Sequence, residues 1–260
     1  MKPLFRLMTE LSSRKWVSRL TGSFAKSKVS KLMIPRFAKI YGIPVEDAEK
    51  EIHEYESLNA FFTRKLKPGL RPLDPDPKSM LSPVDAMITG MGPIKSGQIL
   101  NVKGQDYTIE DLLNRSPRTM NYTHGFFFVL YLSPTDYHRI HSPVTGTILE
   151  KEHVAGKVYP VNEFGLRNMK KVLSRNERLI TIMQTEAGEV AVVKVGALNV
   201  SSIQYISPLP DRLQRGDDLA YFEFGSTVVL LTENNIFEPR TDLEIGSKVK
   251  MGEYLGHFVK

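Results

Sequence analysis

The sequence predicts an α+β fold, with N-terminal helices followed by a mainly antiparallel β sandwich or barrel-like core. Three observations carry this reading. Apolar residues recur at helical spacing in the first forty residues, a proline-rich stretch occupies 66–79, and short alternating or fully apolar runs follow. Helices first and strands afterwards indicate segregated α and β layers. Leu4, Leu7, Met8 and Leu11 share one helical face, and Trp16, Leu20 and Phe24 share another. Ser12 and Ser13 mark the break between them. Pro44 precedes a Glu-rich segment, 45–55, read as a further helix, and Ser57 caps a short one through 61–64. Pro68, Pro72, Pro75 and Pro77 make 66–79 an extended linker. Strand-like runs lie at 86–91, 98–103, 126–132, 144–150, 178–184, 190–206, 218–224 and 226–232, with helices near 109–114 and 163–173. The glycines of 243–256 predict a tight terminal β hairpin. The domain reading is 1–65 helical, 66–79 linker and 80–260 β-rich. No internal repeat is evident.

Composition narrows the chemistry. The chain of 260 residues, 41% hydrophobic, is large enough for a real core. It has no cysteine, so disulfides, thiolate metal sites and thiol nucleophiles are excluded. There is no signal-peptide pattern, and the longest apolar run, Phe126 to Leu132, is far too short to span a bilayer. The formal charge is +6, but residues 1–40 carry ten Lys or Arg against one Glu, so the rest of the chain sums to −3. A basic segment with apolar faces suits a membrane interface, a helical cap with solvated lysines, or a nucleic-acid arm.

Reactive residues fall in three places. Gly225 and Ser226 interrupt the run Tyr221-Phe222-Glu223-Phe224-Gly225-Ser226-Thr227-Val228-Val229-Leu230-Leu231. Glycine inside such a run marks a bulge or a close backbone approach, and it admits bends on which a following serine can attack the preceding carbonyl. His138 and His141 stand in Tyr137-His138-Arg139-Ile140-His141-Ser142-Pro143, and imidazole is the side chain best suited to move protons near neutral pH. Asp85 stands in Leu81-Ser82-Pro83-Val84-Asp85-Ala86. Asp, His and Ser in that order supply an orienter, a base and a nucleophile.

Together these motifs resemble the phosphatidylserine decarboxylase family. Further matches are Phe61-Phe62-Thr63-Arg64, Lys67-Pro68-Gly69-Leu70-Arg71-Pro72, Val102-Lys103-Gly104, Tyr159-Pro160-Val161-Asn162, Asn176-Glu177-Arg178 and Val195-Gly196-Ala197. The likeness runs from about residue 55 to the C-terminus. Two positions depart from the family pattern: Ala86 replaces the usual glycine, and Phe224 stands where leucine is common.

The resemblance implies decarboxylation of phosphatidylserine to phosphatidylethanolamine and CO2. Its cofactor is a covalent pyruvoyl group made from Ser226, whose ketone forms a Schiff base with the substrate amine. Self-cleavage between Gly225 and Ser226 gives a β chain, 1–225, and an α chain, 226–260. The resemblance assigns His141, oriented by Asp85, as the base of cleavage, and His138 to substrate binding and decarboxylation. A lipid substrate favours the membrane reading of the N-terminal segment. The expectation is thus a peripheral protein on the cytoplasmic face of the cell membrane, bound to anionic phosphatidylserine-bearing lipid, with a possible homodimer and no nucleic acid. Two rivals are weaker. Zinc between His138 and His141 lacks the usual spacing and an evident third ligand. A carrier module needs a modified lysine in a tight turn, and Lys248 and Lys250 have no such setting.

Overall fold

Helical structure before the β core is short and broken. The computed structural model describes residues 22–102, 105–161, 169–197, 203–223 and 226–259. The faces read over 1–21 lie outside the described residues. A 3-10 segment, Lys28–Met33, leads into α1 (Ile34–Tyr41), which stops at Gly42 in the left-handed conformation. Segment 45–55 is not one helix. It forms two 3-10 turns, Val45–Asp47 and Ile52–Glu54, because Ala48 leaves the helical path to bridge Leu66. Tertiary pairing overrides helix propensity there. α2 (Leu58–Phe62) follows, and Ser57 caps it by accepting from the Ala60 amide. Ile34, Ala38, Ile43, Ala48, Tyr55, Leu58 and Phe61 form a small core of their own.

The body is built from β1 (Ser79–Leu81), β2 (Ala86–Pro93), β3 (Gln98–Val102), β4 (Gln105–Thr108), α3 (Ile109–Leu112), β5 (Phe126–Leu132), β6 (Arg139–His141), β7 (Gly146–Val154) and α4 (Val172–Arg175). It continues with β8 (Arg178–Gln184), β9 (Glu189–Gly196), β10 (Ile203–Tyr205), β11 (Arg212–Leu213), β12 (Asp218–Phe222), β13 (Ser226–Thr232), β14 (Phe237–Pro239), β15 (Lys248–Val249) and β16 (Tyr254–Phe258). An eight-stranded sheet runs β11-β7-β8-β9-β13-β5-β2-β15, beside three-stranded sheets β1-β16-β14 and β10-β12-β6. All pairings between these strands are antiparallel. Strand β13 is flanked on both sides, by β5 and β9, and Val228, Val229, Leu230 and Leu231 are fully buried. A strand covered on both faces has no polar face to alternate, which is why its sequence is a continuous apolar run. The terminal segment is not a hairpin: β15 pairs with β2, whereas β16 pairs with β1 and β14.

The body contains an internal duplication that the sequence conceals. Segment 78–88 (KSMLSPVDAMI) and segment 138–148 (HRIHSPVTGTI) each run strand, Ser-Pro-Val turn, strand. Segment 247–258 (SKVKMGEYLGHF) and segment 211–222 (DRLQRGDDLAYF) form the second half of each copy. Their hydrogen bonds repeat one for one. Ser82 Oγ donates to the Val84 carbonyl at 2.7 Å, and Ser142 Oγ to that of Val144 at 2.6 Å. The Ser82 amide donates to Glu253, and the Ser142 amide to Asp217. Phe258 donates to Lys78, and Phe222 to His138. The copies interlock where Leu81 donates to Pro143 and His141 donates to Pro83. The strand pattern relates the copies about an axis between β9 and β13. Outside the two Ser-Pro-Val turns the copies share few identities, which explains why no repeat shows in the sequence.

Candidate active site

His138 and His141 lie on adjacent turns of this frame but are held differently. His138 sits just before β6 and is fully buried. Its Nδ1 lies 2.8 Å from the Asp136 carbonyl, which can only accept, so Nδ1 carries the proton. Nε2 therefore presents a lone pair, and among the described residues it has no hydrogen-bond partner. Phe62 of α2 covers the ring at 4.0 Å between centroids. Burial drives the His138 pKa down to about 3, with the Arg64 charge pushing the same way.

His141 ends β6. Its Nδ1 is 2.7 Å from the Gly216 carbonyl, which fixes the same tautomer, and Nε2 accepts from the Tyr137 hydroxyl at 3.1 Å. The Tyr137 ring stacks on the imidazole at 5.6 Å. Asp218 stands directly across the strand pair, its Oδ1 3.6 Å from Nε2. Arg139 grips Asp218 in a two-pronged pair at 3.1 and 3.0 Å. Burial lowers the His141 pKa, and Asp218 and the Gly216 carbonyl partly offset it. Burial alone would raise the Asp218 carboxyl, but Arg139, His141 and Lys65 outweigh it and hold it below the ordinary carboxylate range. The arrangement is a neutral base with its lone pair aimed away from the backbone and an anion at its side.

Asp85 is not hydrogen-bonded to His141. Arg71 holds both of its oxygens, Nε to Oδ1 at 2.9 Å and Nη2 to Oδ2 at 2.5 Å, and the Met251 amide donates to Oδ1 at 2.9 Å. The duplicate copy clarifies this: there the Arg215 amide donates to Thr145 Oγ1 at 3.2 Å. Asp85 thus fills a side-chain-to-amide role that a neutral threonine fills in the other half. Its charge reaches His141 through space.

Ser226 opens β13, opposite Gly196 on one side and Leu132 on the other. Gly225 and Phe224 lie outside the described residues, so the bend read at Gly225 does too. Glu223, immediately upstream, is bound by Lys26 at 2.8 Å and by Asn59 at 3.4 Å. Both anchors come from the N-terminal helical region. Thr227 is fully buried, and its Oγ1 has no partner among the described residues.

A cavity of about 640 Å³ opens elsewhere, lined by Lys78, Thr145 and Arg215 among others. These are the duplicates of His138, Asp85 and Met251, and none of His138, His141, Asp85 or Asp218 lines it. It is the counterpart of the site, not the site. Among the described residues no cluster of His, Asp or Glu could hold a metal ion. Sequence reasoning missed Tyr137, Asp218 and Arg71 as members of the site. Tyr137 stands inside the histidine motif and Arg71 inside the Lys-Pro-Gly-Leu-Arg-Pro motif, whereas Asp218 opens a predicted strand with no signal beyond its charge.

Two buried histidines of fixed tautomer, one with a half-buried carboxylate 3.6 Å from its Nε2, are the kind of groups that transfer protons in an enzyme. Comparison with known proteins makes this specific. Residues 58–257 match the family model described as phosphatidylserine decarboxylase. A phosphatidylserine decarboxylase proenzyme of Anoxybacillus flavithermus is 44% identical over 255 residues, covering 98% of this chain and 96% of its own. One from Geobacillus kaustophilus is 43% identical over 257 residues, covering 99% and 97%. One from Bacillus thuringiensis is 41% identical over 252 residues, covering 97% and 96%. The chain belongs to the phosphatidylserine decarboxylase family, and it is a carboxy-lyase.

Proposed function

We propose that the chain is a proenzyme that cleaves itself at Gly225–Ser226 and then decarboxylates phosphatidylserine to phosphatidylethanolamine. The observation that carries this is the buried histidine pair with fixed tautomers, in a chain whose relatives are named as proenzymes. In maturation, Ser226 Oγ attacks the Gly225 carbonyl carbon and the peptide shifts from nitrogen to oxygen as an ester. His141 Nε2 would take the hydroxyl proton, since Nδ1 is already committed to Gly216. Removal of the Ser226 α proton then expels the Gly225 carboxylate. Water hydrolyses the dehydroalanine that remains, releasing ammonia and leaving the pyruvoyl end.

The pyruvoyl carbonyl supplies an electron sink that no ordinary side chain offers. The residues present fit such a group. Among the described residues His138 Nε2 is an unpaired buried acceptor on the turn between β5 and β6; Leu132, where this turn begins, pairs with Ser226, and the Phe222 amide donates to the His138 carbonyl. His138 would meet the substrate through Nε2, whose lone pair can accept a hydrogen bond while Nδ1 keeps the proton. Asp85, partly offset by its ion pair with Arg71, contributes negative potential near His141.

The N-terminal segment serves both as a cap and as a membrane contact. Ile34 and Ala38 pack inward, while Val29, Leu32 and Ile40 are 66%, 83% and 66% exposed. Lys28, Lys31, Arg36 and Lys39 lie on the same stretch. An apolar face edged with cations binds anionic lipid at its surface. No helix among the described residues is long and apolar enough to cross a membrane. The site would then work on lipid from the cytoplasmic leaflet, with no step that calls for nucleic acid. The test of function is intact mass together with turnover. Wild type should give two fragments and release CO2 from phosphatidylserine vesicles. A chain that stays whole and still decarboxylates would refute the pyruvoyl reading.

A further inference from the structure

The duplication provides an internal control for the site. Each copy needs the same cross-strand positions to form its fold, so a difference between equivalent positions is not dictated by the fold. In one copy β1 and β16 pair Leu81 with Tyr254, and Ser79 with His257. In the other, β6 and β12 pair His141 with Asp218, and Arg139 with Tyr221. Both ladders carry a register shift at the same point, and both end in the same backbone bond to Phe258 or Phe222. The other copy closes this ladder with Leu81 opposite Tyr254, so the fold does not require an imidazole facing a carboxylate at that position. Burying those groups is costly unless they are paired. The repeated fold therefore does not by itself account for the trio of His141, Asp218 and Arg139.

Within the trio, the roles follow from geometry. Gly216 holds Nδ1, and Tyr137 donates to Nε2. Neither can stabilise positive charge on the ring as well as an anion can. Asp218 Oδ1 is 3.6 Å from Nε2, the nitrogen that gains the proton. Arg139 orients the carboxylate from behind, and Lys65 reaches Oδ2 at 3.6 Å. Asp85, by contrast, is spent on Arg71 and the Met251 amide.

We infer that Asp218 is the supporting carboxylate of His141: Gly216 and Tyr137 orient the ring, and Asp218, across the strand pair, stabilises the imidazolium formed when Nε2 gains a proton during self-cleavage. This rests on the reading of His141 as the base. The groups facing His141 are Asp218 and Arg139, Tyr137 on the preceding turn, Asp85 with Arg71, and Lys65 behind Asp218. Removing the Asp218 charge takes away a group that favours protonation, so the His141 titration must move down.

The test uses the full chain in two forms. In an uncleaved Ser226→Ala background, His141 is titrated by NMR with and without Asp218→Asn. In the cleavable chain made by cell-free synthesis, the rate of fragment appearance is followed between pH 6 and 9. Asp218→Asn should lower the His141 midpoint by about one unit and slow cleavage by on the order of a hundredfold. Asp218→Glu should restore part of both. Asp218→Asn combined with Arg139→Gln leaves no guanidinium unpaired, and it should still move the midpoint down, by less than Asp218→Asn alone, because Arg139 opposes protonation of His141. An unchanged midpoint, with cleavage within twofold of wild type, overturns the inference. If His141→Ala blocks cleavage in that case, only the role of Asp218 has failed. If His141→Ala cleaves normally, the base assignment and this inference fall together.

Discussion

Gly216 and Gly252 are equivalent residues in the two copies, and replacing each by alanine separates the cost to the fold from the cost to the site. Both have positive φ, +88° and +90°, where an L side chain is strained by roughly 1–2 kcal/mol. A Cβ at Gly216 would lie 2.5 Å from Leu73 Cδ1, the end of a flexible side chain that can move. A Cβ at Gly252 would lie 2.6 Å from the Pro72 carbonyl oxygen, part of the backbone, which yields less. Overpacking of this kind costs about 1–3 kcal/mol more. Gly216→Ala should therefore lose about 2–3 kcal/mol and Gly252→Ala about 3–5 kcal/mol. At roughly 2–4 °C per kcal/mol for a chain of this size, Tm falls by about 4–12 °C and 6–20 °C respectively. Thermal unfolding in a Ser226→Ala background measures this without interference from cleavage. Maturation should invert the order, because the Gly216 carbonyl holds His141 Nδ1 and the Gly252 carbonyl does not. Normal stability in both variants, or faster maturation in Gly216→Ala than in Gly252→Ala, would refute the argument.

Other expectations are simpler. Ser226→Ala should run as one 29.5 kDa chain and lack activity, as read by intact mass and CO2 release. His138 is neutral in the fold down to about pH 3 but titrates near 6.5 when unfolded, so the unfolded state gains a proton first as pH falls. Stability should drop below pH 6.5 by roughly 1.4 kcal/mol per pH unit from this group. In denaturant titrations at pH 7 and 5, His138→Asn should lose less than wild type. Leu230→Ala empties a fully buried position in the central strand and should cost about 2–5 kcal/mol in the same assay. Leu32→Glu and Ile40→Glu together should weaken co-sedimentation with anionic vesicles while leaving Tm near wild type, since both side chains face outward. Equal binding would make the segment a cap only.

The sequence revealed those parts of the fold whose local pattern and tertiary setting agree. The runs at 126–132, 178–184 and 226–232 became β5, β8 and β13 with the same bounds, because buried inner strands leave no room for polar alternation. Segment 45–55 misleads because its Glu-rich composition favours helix locally, while Ala48 is claimed by Leu66. The glycines of 243–256 look like hairpin turns, but Gly252 and Gly256 belong to the repeated unit that sends β15 and β16 to different sheets. In the site, His138 and His141 are legible because a short motif carries them. Asp218 is not, since only strand register shows that it faces His141 across some eighty residues of chain. Spacing likewise cannot show that Arg71 and Met251 occupy Asp85.

The position of β13 bears on what a cut before Ser226 would do to the molecule. A strand at a sheet edge could peel away once severed, but this one is laced to β5 and β9 along its whole length. The released segment also carries β14, β15 and β16, which close a second sheet on β1 and cap the large sheet beside β2. Scission at that point would behave like a circular permutation: new termini in an unchanged body, with the shorter piece trapped by its neighbours. The fresh chain end would then be a fixed feature of the interior, able to carry a reactive group that a loop or a free terminus would let wander.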